Sequence, residues 1–354
     1  METEELVRLR LLNQGLLGST FRSPAEVVGW MGAMQGQDYP GAKWAVGLRL
    51  PGSSDADVER SIEEKKVLRS WVMRGTLQLV AAEDIHWMLS LLGARIIAGN
   101  QRRYRELELD EKTLIRSNNL LAKALQKEKS LTRSELLELL NKTGISTAGQ
   151  RGVYMLQRAS LDRLIFQGVA RRNNASFFLL EGFPMSSLER QEALVELTRR
   201  YFASRGPATL QDFIWWSGLG AAEARAGLDS LQPTMVHESV EGTTCWWANA
   251  GRRQNKASAS LLLPPFDEYL IAYRDRSAAL GERKFGQLAP GGGMPPATVV
   301  LDGKVCATWK RTFKKDKMEI FIQPYEPLVP SEADRVAAAG KAYGHFLGQT
   351  VKMG

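Results

Sequence analysis

The chain has 354 residues, 44% of them hydrophobic and 24% charged, a composition typical of a globular protein with room for two to four domains. Lys and Arg number 47 against 39 Asp and Glu, giving a net charge of +8, while two cysteines are too few for a disulfide framework and indicate a reducing cytoplasm. No apolar run approaches the roughly 18 residues of a membrane helix, and the acidic residues 1–6 are unlike a secretory or transit signal. Three histidines and two scattered cysteines offer no zinc-ligand spacing, so we expect no metal, no cofactor and no membrane partner.

The first 110 residues carry several helix signals and one hairpin signal. Ser23 precedes Pro24 and Glu26, which predicts a capped helix over 24–34 that ends at Gln35-Gly36-Gln37-Asp38. Alternating residues on both sides of Arg74-Gly75 predict a β-hairpin. The remaining predicted helices are short and cover 40–50, 55–66, 82–97 and 100–106.

Residues 111–183 contain two helices followed by a hairpin. Thr132 and Glu135 have the spacing of a capping box, and Leu136, Leu137, Leu139 and Leu140 form an apolar face that ends before Gly144. A second helix is predicted over 153–166. Two short strands then flank the polar turn at 171–174.

A similar order follows in residues 184–257, after a linker at 181–187. An amphipathic helix is predicted over 188–203, a capped helix follows Thr209, and another helix covers 220–231. A hairpin is predicted over 235–247, with its turn at Glu241-Gly242. Two helices followed by a hairpin is the order of a winged helix-turn-helix, a fold that places its second helix in the DNA major groove and its hairpin on the DNA backbone.

The character of the sequence changes at residue 258. Strand-like runs begin at 261, 299, 305 and 318, Asp302-Gly303 predicts a hairpin turn, and 286–296 is a loop rich in Gly and Pro. A helix over 331–347 closes the chain. We therefore predict a helix-rich α+β fold. Three tandem winged helix-turn-helix units (1–110, 111–183 and 184–257, the first a decorated copy) precede a small C-terminal β-sheet or barrel at 258–354.

The positive charge is concentrated in the second unit. Residues 111–183 hold 12 Lys and Arg against 6 Asp and Glu, whereas 1–110 hold 14 against 15, 184–257 hold 8 against 8 and 258–354 hold 13 against 10. A basic winged unit predicts a phosphate-binding surface, and the partner it indicates is double-stranded DNA. The candidate phosphate contacts are Arg151, Arg158, Arg171 and Arg172, while Lys314, Lys315 and Lys317 are interpreted as solvated surface charges.

The whole chain resembles the AlkZ/YcaQ-like family of winged-helix DNA glycosylases. The resemblance is carried by Met34-Gln-Gly-Gln-Asp-Tyr-Pro, by Arg69, Trp71 and Arg74-Gly-Thr-Leu, and by Leu263-Pro-Pro-Phe-Asp-Glu-Tyr-Leu, together with residues 8–16, 82–84 and 131–136. It implies tandem winged helices that form a concave DNA channel. It also implies an enzyme that excises alkylated bases, including bulky or crosslinking adducts. We expect such an enzyme to be a monomer and to need no metal.

The resemblance also implies a catalytic motif in which two glutamines around an apolar residue position the hydrolytic water. Gln35 and Gln37 match these glutamines, although Gly36 replaces the larger apolar residue and loosens the backbone between them. Gln78 stands where the family very often has His. The same tripeptide could instead form a helix C-cap, with Gly36 left-handed.

The chemistry of these residue types can be judged independently. An N-alkylated purine is cationic, so its glycosidic bond is already weakened, and two neutral amides one residue apart could hold a water from both sides. A glutamine is not a general base, so a more demanding substrate would need a carboxylate, for which Asp38 is the nearest candidate in sequence. Arg74 could reach a phosphate or buttress its hairpin.

For two further groups of residues the sequence favours a structural role. Asp267 and Glu268 are adjacent and, if they lie on a strand, point to opposite faces, so one of them is predicted to pair with Arg274 or Arg276. Trp215-Trp216 and Trp246-Trp247 could stack on bases but lie beside apolar residues, which favours core packing.

Three hypotheses follow from these patterns. The first is a DNA glycosylase for alkylated purines, a cytoplasmic protein that associates with the nucleoid when bound to DNA. The second is a non-enzymatic DNA-binding regulator or architectural protein, which would normally dimerise to read paired half-sites, although no dimerisation helix is evident. The third is a scaffold that uses winged domains for protein contacts.

Overall fold

The computed structural model describes residues 1–171, 174–183, 188–240, 242–248, 258–283, 286, 295–314 and 317–354. Helices and mainly antiparallel sheets, with one parallel pair between β12 and β13, together form an α+β fold, as predicted. The chain divides into two compact units. The first combines Met1–Val58 with Leu194–Gly354, and the second is Glu59–Ala193. The predicted boundaries at 110, 183 and 257 delimit winged-helix units and do not coincide with the division into these two compact units. They stay a prediction.

The helices are α1 Thr3–Asn13, α2 Pro24–Met31, α3 Tyr39–Arg49, α4 Asp55–Glu63, α5 Ile85–Gly99, α6 Gln101–Glu106, α7 Glu111–Glu128, α8 Arg133–Lys142, α9 Arg151–Leu161, α10 Arg190–Arg205, α11 Leu210–Ser217, α12 Ala221–Leu231, α13 Glu268–Ile271, α14 Ser277–Leu280 and α15 Pro330–Leu347. The strands are β1 Met34–Gln35, β2 Val67–Met73, β3 Thr76–Ala81, β4 Leu131–Thr132, β5 Ile165–Arg171, β6 Asn174–Leu179, β7 Met235–Val240, β8 Thr243–Ala248, β9 Ser260–Leu263, β10 Thr298–Leu301, β11 Lys304–Lys314, β12 Lys317–Pro324 and β13 Val351–Met353.

One order of elements recurs three times along the chain. A helix, a short extended segment, two helices and two strands follow one another as α2-β1-α3-α4-β2-β3 and again as α7-β4-α8-α9-β5-β6. The third copy is α10, Ala208, α11, α12, β7 and β8, and Ala208 makes an isolated antiparallel bridge to Trp246.

In the second unit the strands lie in the order β3-β2-β5-β6-β4. The predicted hairpin of β2 and β3 is confirmed: Met73 pairs with Thr76, and Arg74 and Gly75 have φ values of 51° and 72°. Two positive φ values are required by the tight two-residue turn that matches the twist of a hairpin. Helices α7, α8 and α9 bury an apolar core against this sheet, including Leu121, Leu136, Met155 and Phe177.

Local capping chemistry explains where α8 begins, and tertiary packing explains where α9 ends. The Thr132 hydroxyl accepts from the Glu135 N–H at 3.3 Å and the Glu135 carboxylate accepts from the Thr132 N–H at 2.6 Å, so the predicted capping box is confirmed. The predicted end of the next helix at Phe166 is wrong, because α9 ends at Leu161. Ile165 and Phe166 lie instead in β5, where both are buried in the sheet.

In the first unit, α11 begins with a second confirmed capping box between Thr209 and Asp212. The predicted C-terminal sheet is also confirmed, and in the described residues its strands have the open order β13-β12-β11-β10-β9 and do not close into a barrel. Asp302 and Gly303 form its predicted tight turn, with φ values of 48° and 89°. Helix α3 is fastened to this region because the Trp44 indole donates to the Leu262 carbonyl at 2.7 Å and its ring lies 4.8 Å from that of Tyr343.

Candidate active site

The segment that carries Gln35 and Gln37 follows α2 directly. The Ser23 hydroxyl accepts from the Glu26 N–H at 3.2 Å and caps α2, which ends at Met31 because Gly32 takes a φ of 70°. The predicted end at Met34 is therefore three residues too late. The alternative interpretation of the glutamine tripeptide as the C-cap of this helix is wrong, because Gln35 lies in the extended segment β1.

The side chains of Gln35 and Gln37 are bonded to each other. The Gln37 backbone N–H donates to Gln35 Oε1 at 2.8 Å, and Gln35 Nε2 donates to Gln37 Oε1 at 2.9 Å. Gln35 is buried and Gln37 is exposed, so the pair reaches from the interior to the surface. A carboxamide has two N–H groups and two lone pairs, so these bonds use only half of what Gln35 can offer. The arrangement can bind a small polar molecule that needs both a donor and an acceptor.

The backbone of Gln35 is held by a buried carboxylate. Its N–H donates to Glu268 Oε1 at 2.9 Å. The other oxygen, Oε2, accepts from Arg205 Nη2 at 2.7 Å and from the Trp216 indole at 3.0 Å. The Arg205 and Glu268 side chains are 0% and 2% exposed. These partners of the Glu268 carboxylate are thus all buried residues.

The adjacent carboxylate belongs to a second buried pair. Arg49 Nη1 and Nη2 each lie 2.9 Å from an oxygen of Asp267. Arg49 also donates to Gln14 Oε1 at 2.8 Å, and Gln14 donates to the Tyr273 hydroxyl at 3.0 Å. Burial raises the pKa of Tyr273 to about 12, so the phenol stays protonated and donates to the Arg205 carbonyl at 2.7 Å.

The predicted structural role of Asp267 and Glu268 agrees with these contacts, but the predicted partners, Arg274 and Arg276, are wrong. The two carboxylates do not lie on a strand either. Asp267 caps the short helix α13, where it accepts from the Tyr269 N–H at 2.9 Å, and Glu268 is the first residue of that helix. Their arginines come from the C-terminal ends of α3 and α10.

Asp38 lies at the start of α3 beside the two glutamines. It occupies the N-cap position without a capping hydrogen bond, and its carboxylate lies over the first turn of α3. A Cβ atom on Gly41 would be 2.3 Å from Asp38 Oδ2, so only glycine leaves room for this orientation. Burial lowers the pKa of the Arg311 guanidinium, against the opposing effect of the nearby carboxylates of Asp38 and Asp55. Asp38 is therefore close enough to this partly buried cation for the two charges to interact.

Two of the predicted DNA contacts lie in the hairpins of the second unit. Arg74 is exposed at the turn between β2 and β3. Arg171 is the last residue of β5 and its backbone pairs with Asn174, which places it at the end of the next hairpin. Arg172 lies outside the described residues.

The two other predicted contacts have partners within the second unit. Arg151 donates to the carbonyl of Ser146 at 2.8 Å and also to the carbonyls of Leu107 and Glu108. Arg158 is buried and bonds the carboxylates of Glu111 and Asp162 at 2.5 and 2.9 Å. Both arginines thus fasten α9 to its neighbours, a role that their sequence positions did not reveal.

The tryptophans and lysines singled out in the sequence also differ from one another in exposure and in their partners. Trp216 is buried, as predicted, whereas Trp215 is 43% exposed and donates to the Ile271 carbonyl at 3.2 Å. The Trp246 ring lies 4.6 Å from that of His237, and Trp247 is partly buried. Lys314 pairs with Glu319 at 2.6 Å, Lys317 is exposed, and Lys315 lies outside the described residues.

Sequence reasoning missed three arginines of this region. Arg49, Arg205 and Arg311 carried no predicted role, yet each is at least partly buried beside the glutamine segment or its supports. A charged residue at the last position of a helix is the signal that could have indicated Arg49 and Arg205, whereas Arg311 lies on β11 and carried no such signal. Gln78, which replaces the family's usual His, is buried on β3 and donates to the Thr76 hydroxyl at 2.8 Å.

The described ranges contain neither a group of three or more His, Cys, Asp or Glu that could hold a metal ion nor a helix long and apolar enough to cross a membrane.

Comparison with known proteins identifies the class of enzyme. The family model described as "DNA glycosylase AlkZ-like" matches residues 28–346. The chain therefore belongs to the AlkZ-like DNA glycosylase family, whose members hydrolyse N-glycosyl bonds in DNA repair.

A curated relative and a solved structure agree with this assignment. An "Interstrand DNA cross-link repair glycosylase" of Streptomyces sahachiroi is 24% identical over 335 residues, and the match covers 85% of each chain. The solved structure of the S. sahachiroi DNA glycosylase AlkZ has a TM-score of 0.82 at 20% identity and is covered completely, as is this chain. That likeness confirms the fold.

Proposed function

We propose that this glycosylase acts as a monomer on double-stranded DNA and releases alkylated purines by means of a water that Gln35 and Gln37 orient. The observation that carries the proposal is that the Gln35 carboxamide both accepts from the Gln37 backbone N–H at 2.8 Å and donates to Gln37 Oε1 at 2.9 Å. Each amide restricts the other, so the water site is organised before substrate binds. Such preorganisation lowers the barrier because no reorientation is needed during the reaction.

The release of a cationic base needs little general-acid catalysis by the protein. An N7- or N3-alkylated purine is positively charged and leaves as a neutral base when the bond from its nitrogen to C1′ of the sugar breaks. The water then forms the new bond to C1′ and loses one proton. Neutral amides can orient this water through one donor and one acceptor, and they do not repel the positive charge that develops on the sugar.

Asp38 is proposed to accept the proton of the water when the leaving base is less activated. Its carboxylate adjoins the glutamine segment, and Gly41 is what allows it to lie over the first turn of α3. General bases of this kind contribute about 10²–10⁴-fold to a rate.

Gly41→Ala is therefore expected to slow the excision of a neutral base such as hypoxanthine by roughly the same factor as Asp38→Asn, on the order of 10². Excision of cationic N7-methylguanine should change less. The rates are measured under single turnover on matched oligonucleotides. A rate loss in Gly41→Ala that adds fully to that of Asp38→Asn would show that the two changes do not act on the same carboxylate.

The repeated element order supports three winged helix-turn-helix units that bind the DNA backbone. The second unit carries most of the excess positive charge, and the proposed phosphate contacts are Arg74, which lies at an exposed turn, together with Arg171 and Arg172. Arg151 and Arg158 are proposed to support these contacts by fastening α9, because backbone carbonyls and carboxylates already engage their guanidinium groups.

The helices that precede the hairpin in these copies, α4, α9 and α12, are poorly suited to reading bases, which argues against the regulator hypothesis. Helix α9 is buried over most of its length, and its Gln157 donates to the Gly75 carbonyl at 2.8 Å. Helix α4 carries four acidic residues and one arginine, and the single basic residue of α12, Arg225, is outnumbered by Glu223 and Asp229. A recognition helix in a major groove needs an exposed face that can approach phosphates.

The printed name of the S. sahachiroi relative includes cross-link repair. We extend the proposal to bulky or crosslinked purine adducts, since the released group leaves by the same bond cleavage. Duplexes with a crosslink at N7 of guanine would test this directly: hydrolysis of one glycosidic bond converts the crosslinked band into two separable strands on a denaturing gel.

The decisive experiment is base release from alkylated DNA. The protein is incubated with a duplex that holds one N7-methylguanine, the released base is quantified, and the abasic product is cleaved with alkali. We expect stoichiometric base and abasic site and no strand cleavage without alkali. Binding without base release, with log K falling by about 0.9 per phosphate contacted as log salt rises, would favour the regulator instead. Failure to bind any DNA at low salt would favour the scaffold.

A further inference from the structure

We infer that Arg205, Glu268 and Trp216, here called the positioning clamp, fix the backbone of Gln35 and thereby set the rate of base excision. The inference rests on the role proposed for Gln35. None of the three is a catalytic residue, because each acts on the reaction only through the segment that it holds.

Glu268 forms the centre of the positioning clamp. One carboxylate oxygen accepts from the Gln35 N–H at 2.9 Å, and the other accepts from Arg205 Nη2 at 2.7 Å, Arg205 Nε at 3.2 Å and the Trp216 indole at 3.0 Å. All four donors point at one carboxylate, so the group must be an acceptor on both sides. Only an ionised carboxylate meets that requirement.

Arg205 holds the same segment from the other side of the Gly32 turn. Its Nη1 donates to the Met31 carbonyl at 2.7 Å, and its Nη2 donates to the Ala33 carbonyl at 2.7 Å. Arg205 therefore donates to the backbone carbonyls on both sides of Gly32, the C-cap residue of α2. Its guanidinium also lies 4.3 Å from the centre of the Trp216 ring, which limits its movement.

The clamp thus restrains the chain from Met31 to Gln35 through backbone hydrogen bonds. The Gln35 side chain leaves this restrained backbone and is then oriented by Gln37. A shift of the Gln35 backbone moves the water site by a similar distance. Misplacement of a reacting group by about 1 Å can cost 10²-fold in rate.

The neighbouring Arg49–Asp267 pair provides a matched control. Like the clamp it joins a buried arginine to a buried carboxylate, here through two contacts of 2.9 Å, and Asp267 is adjacent to Glu268 in sequence. Its other hydrogen bonds are with Ala45, Gln14 and Tyr269 instead of the glutamine segment. Both pairs are expected to affect stability. Only the clamp is expected to affect catalysis.

Three substitutions test the clamp in the full-length protein. Glu268→Gln keeps the shape of the side chain, but its NH₂ group must face either the Gln35 N–H or Arg205 and Trp216, so a donor meets a donor. Glu268→Asp keeps the charge, but the side chain is shorter by one methylene and cannot reach both sides. Arg205→Lys keeps the charge, but its single ammonium cannot serve both carbonyls and the carboxylate. Asp267→Asn is the control, and Gln35→Ala is assayed in parallel.

Three quantities are measured on each variant at a temperature where its folded fraction has been verified. They are the single-turnover rate of N7-methylguanine release per folded molecule, the Kd for the same duplex, and hydrogen exchange of the Gln35 amide. We expect Glu268→Gln and Arg205→Lys to lose about 10²-fold in rate, with little change in Kd and faster exchange of that amide. The excision rate and the amide exchange of Glu268→Asp should lie between those of these variants and the wild type. Asp267→Asn should keep the wild-type rate and the wild-type exchange of the Gln35 amide.

Several results would overturn the clamp. A wild-type rate in Glu268→Gln while Gln35→Ala is slow would show that the backbone position does not control the reaction. An equal rate loss in Asp267→Asn would show a general effect of lost stability, and unchanged exchange of the Gln35 amide in Glu268→Gln would show that the contact does not restrain the segment. A fast Gln35→Ala would instead remove the proposed role of Gln35, and the clamp with it.

Discussion

Gln35→Ala is expected to slow the release of N7-methylguanine on the order of 10²–10³-fold, because each preorganised polar contact in a transition state contributes about that much. The substitution removes both hydrogen bonds of the Gln35 carboxamide to Gln37, one from the Gln37 backbone N–H and one to the Gln37 side chain. Gln37→Ala should cost less, since the Gln37 backbone N–H still holds the Gln35 carboxamide. The double variant should be no slower than Gln35→Ala alone, because the two residues act as one unit.

The measurement is the single-turnover rate on a duplex with one N7-methylguanine, together with the Kd for that duplex. Gln101→Ala is the matched control, because it removes an exposed glutamine of α6. We expect the Kd to stay near its wild-type value in all variants, since the substitutions remove no positive charge. Excision at the wild-type rate by the double variant would reject the assignment of the water site.

Asp267→Asn and Arg49→Met are each expected to lower the free energy of unfolding by about 3–5 kcal/mol, because each leaves an uncompensated charge in the interior. The two side chains are both 0% exposed and make two contacts of 2.9 Å. Asparagine keeps the capping oxygen that Tyr269 needs, so the substitution isolates the loss of charge.

The double variant Arg49→Met with Asp267→Asn should lose less stability than the two single losses added together, since no lone charge remains. Urea denaturation of the four proteins gives this comparison as a double-mutant cycle. Lys142→Ala serves as a control, because it removes an exposed ion pair with Glu138 and should leave the midpoint unchanged. Additive losses in the cycle would contradict the strong coupling of this buried pair.

These expectations concern different properties of one region. The glutamine pair is proposed to do chemistry, the positioning clamp to hold its backbone, and the Arg49–Asp267 pair to hold the surrounding core. Separate readouts of rate, amide exchange and unfolding free energy therefore assign each contact to one role.

Much of the local structure could be predicted because it depends on a few neighbouring residues. The capping boxes at Thr132 and Thr209 and the tight turns at Arg74-Gly75 and Asp302-Gly303 all occur as expected. The motifs of the resemblance also led to the correct enzyme family. The contact between Gln35 and Gln37 is local in the same sense, since only Gly36 separates them.

The ends of helices were predicted less well where packing overrides local pattern. The apolar residues Ile165 and Phe166 continue the periodicity of α9, but they are more completely buried in a sheet strand. Helix α2 ends early because Gly32 can turn the chain at a positive φ, and periodicity does not show which glycine will do so.

The sequence by itself determined the caps, the tight turns, the α+β class and the family of this enzyme. Only the tertiary structure decided which arginine neutralises which carboxylate. Glu268 meets Arg205 across 63 residues and Asp267 meets Arg49 across 218, while the side chains of the nearer Arg274 and Arg276 donate to Gln211 and to the Leu270 carbonyl. The physical reason is that a buried charge must pair with whatever opposite charge the packed helices bring to it. Distance along the chain has no part in that choice.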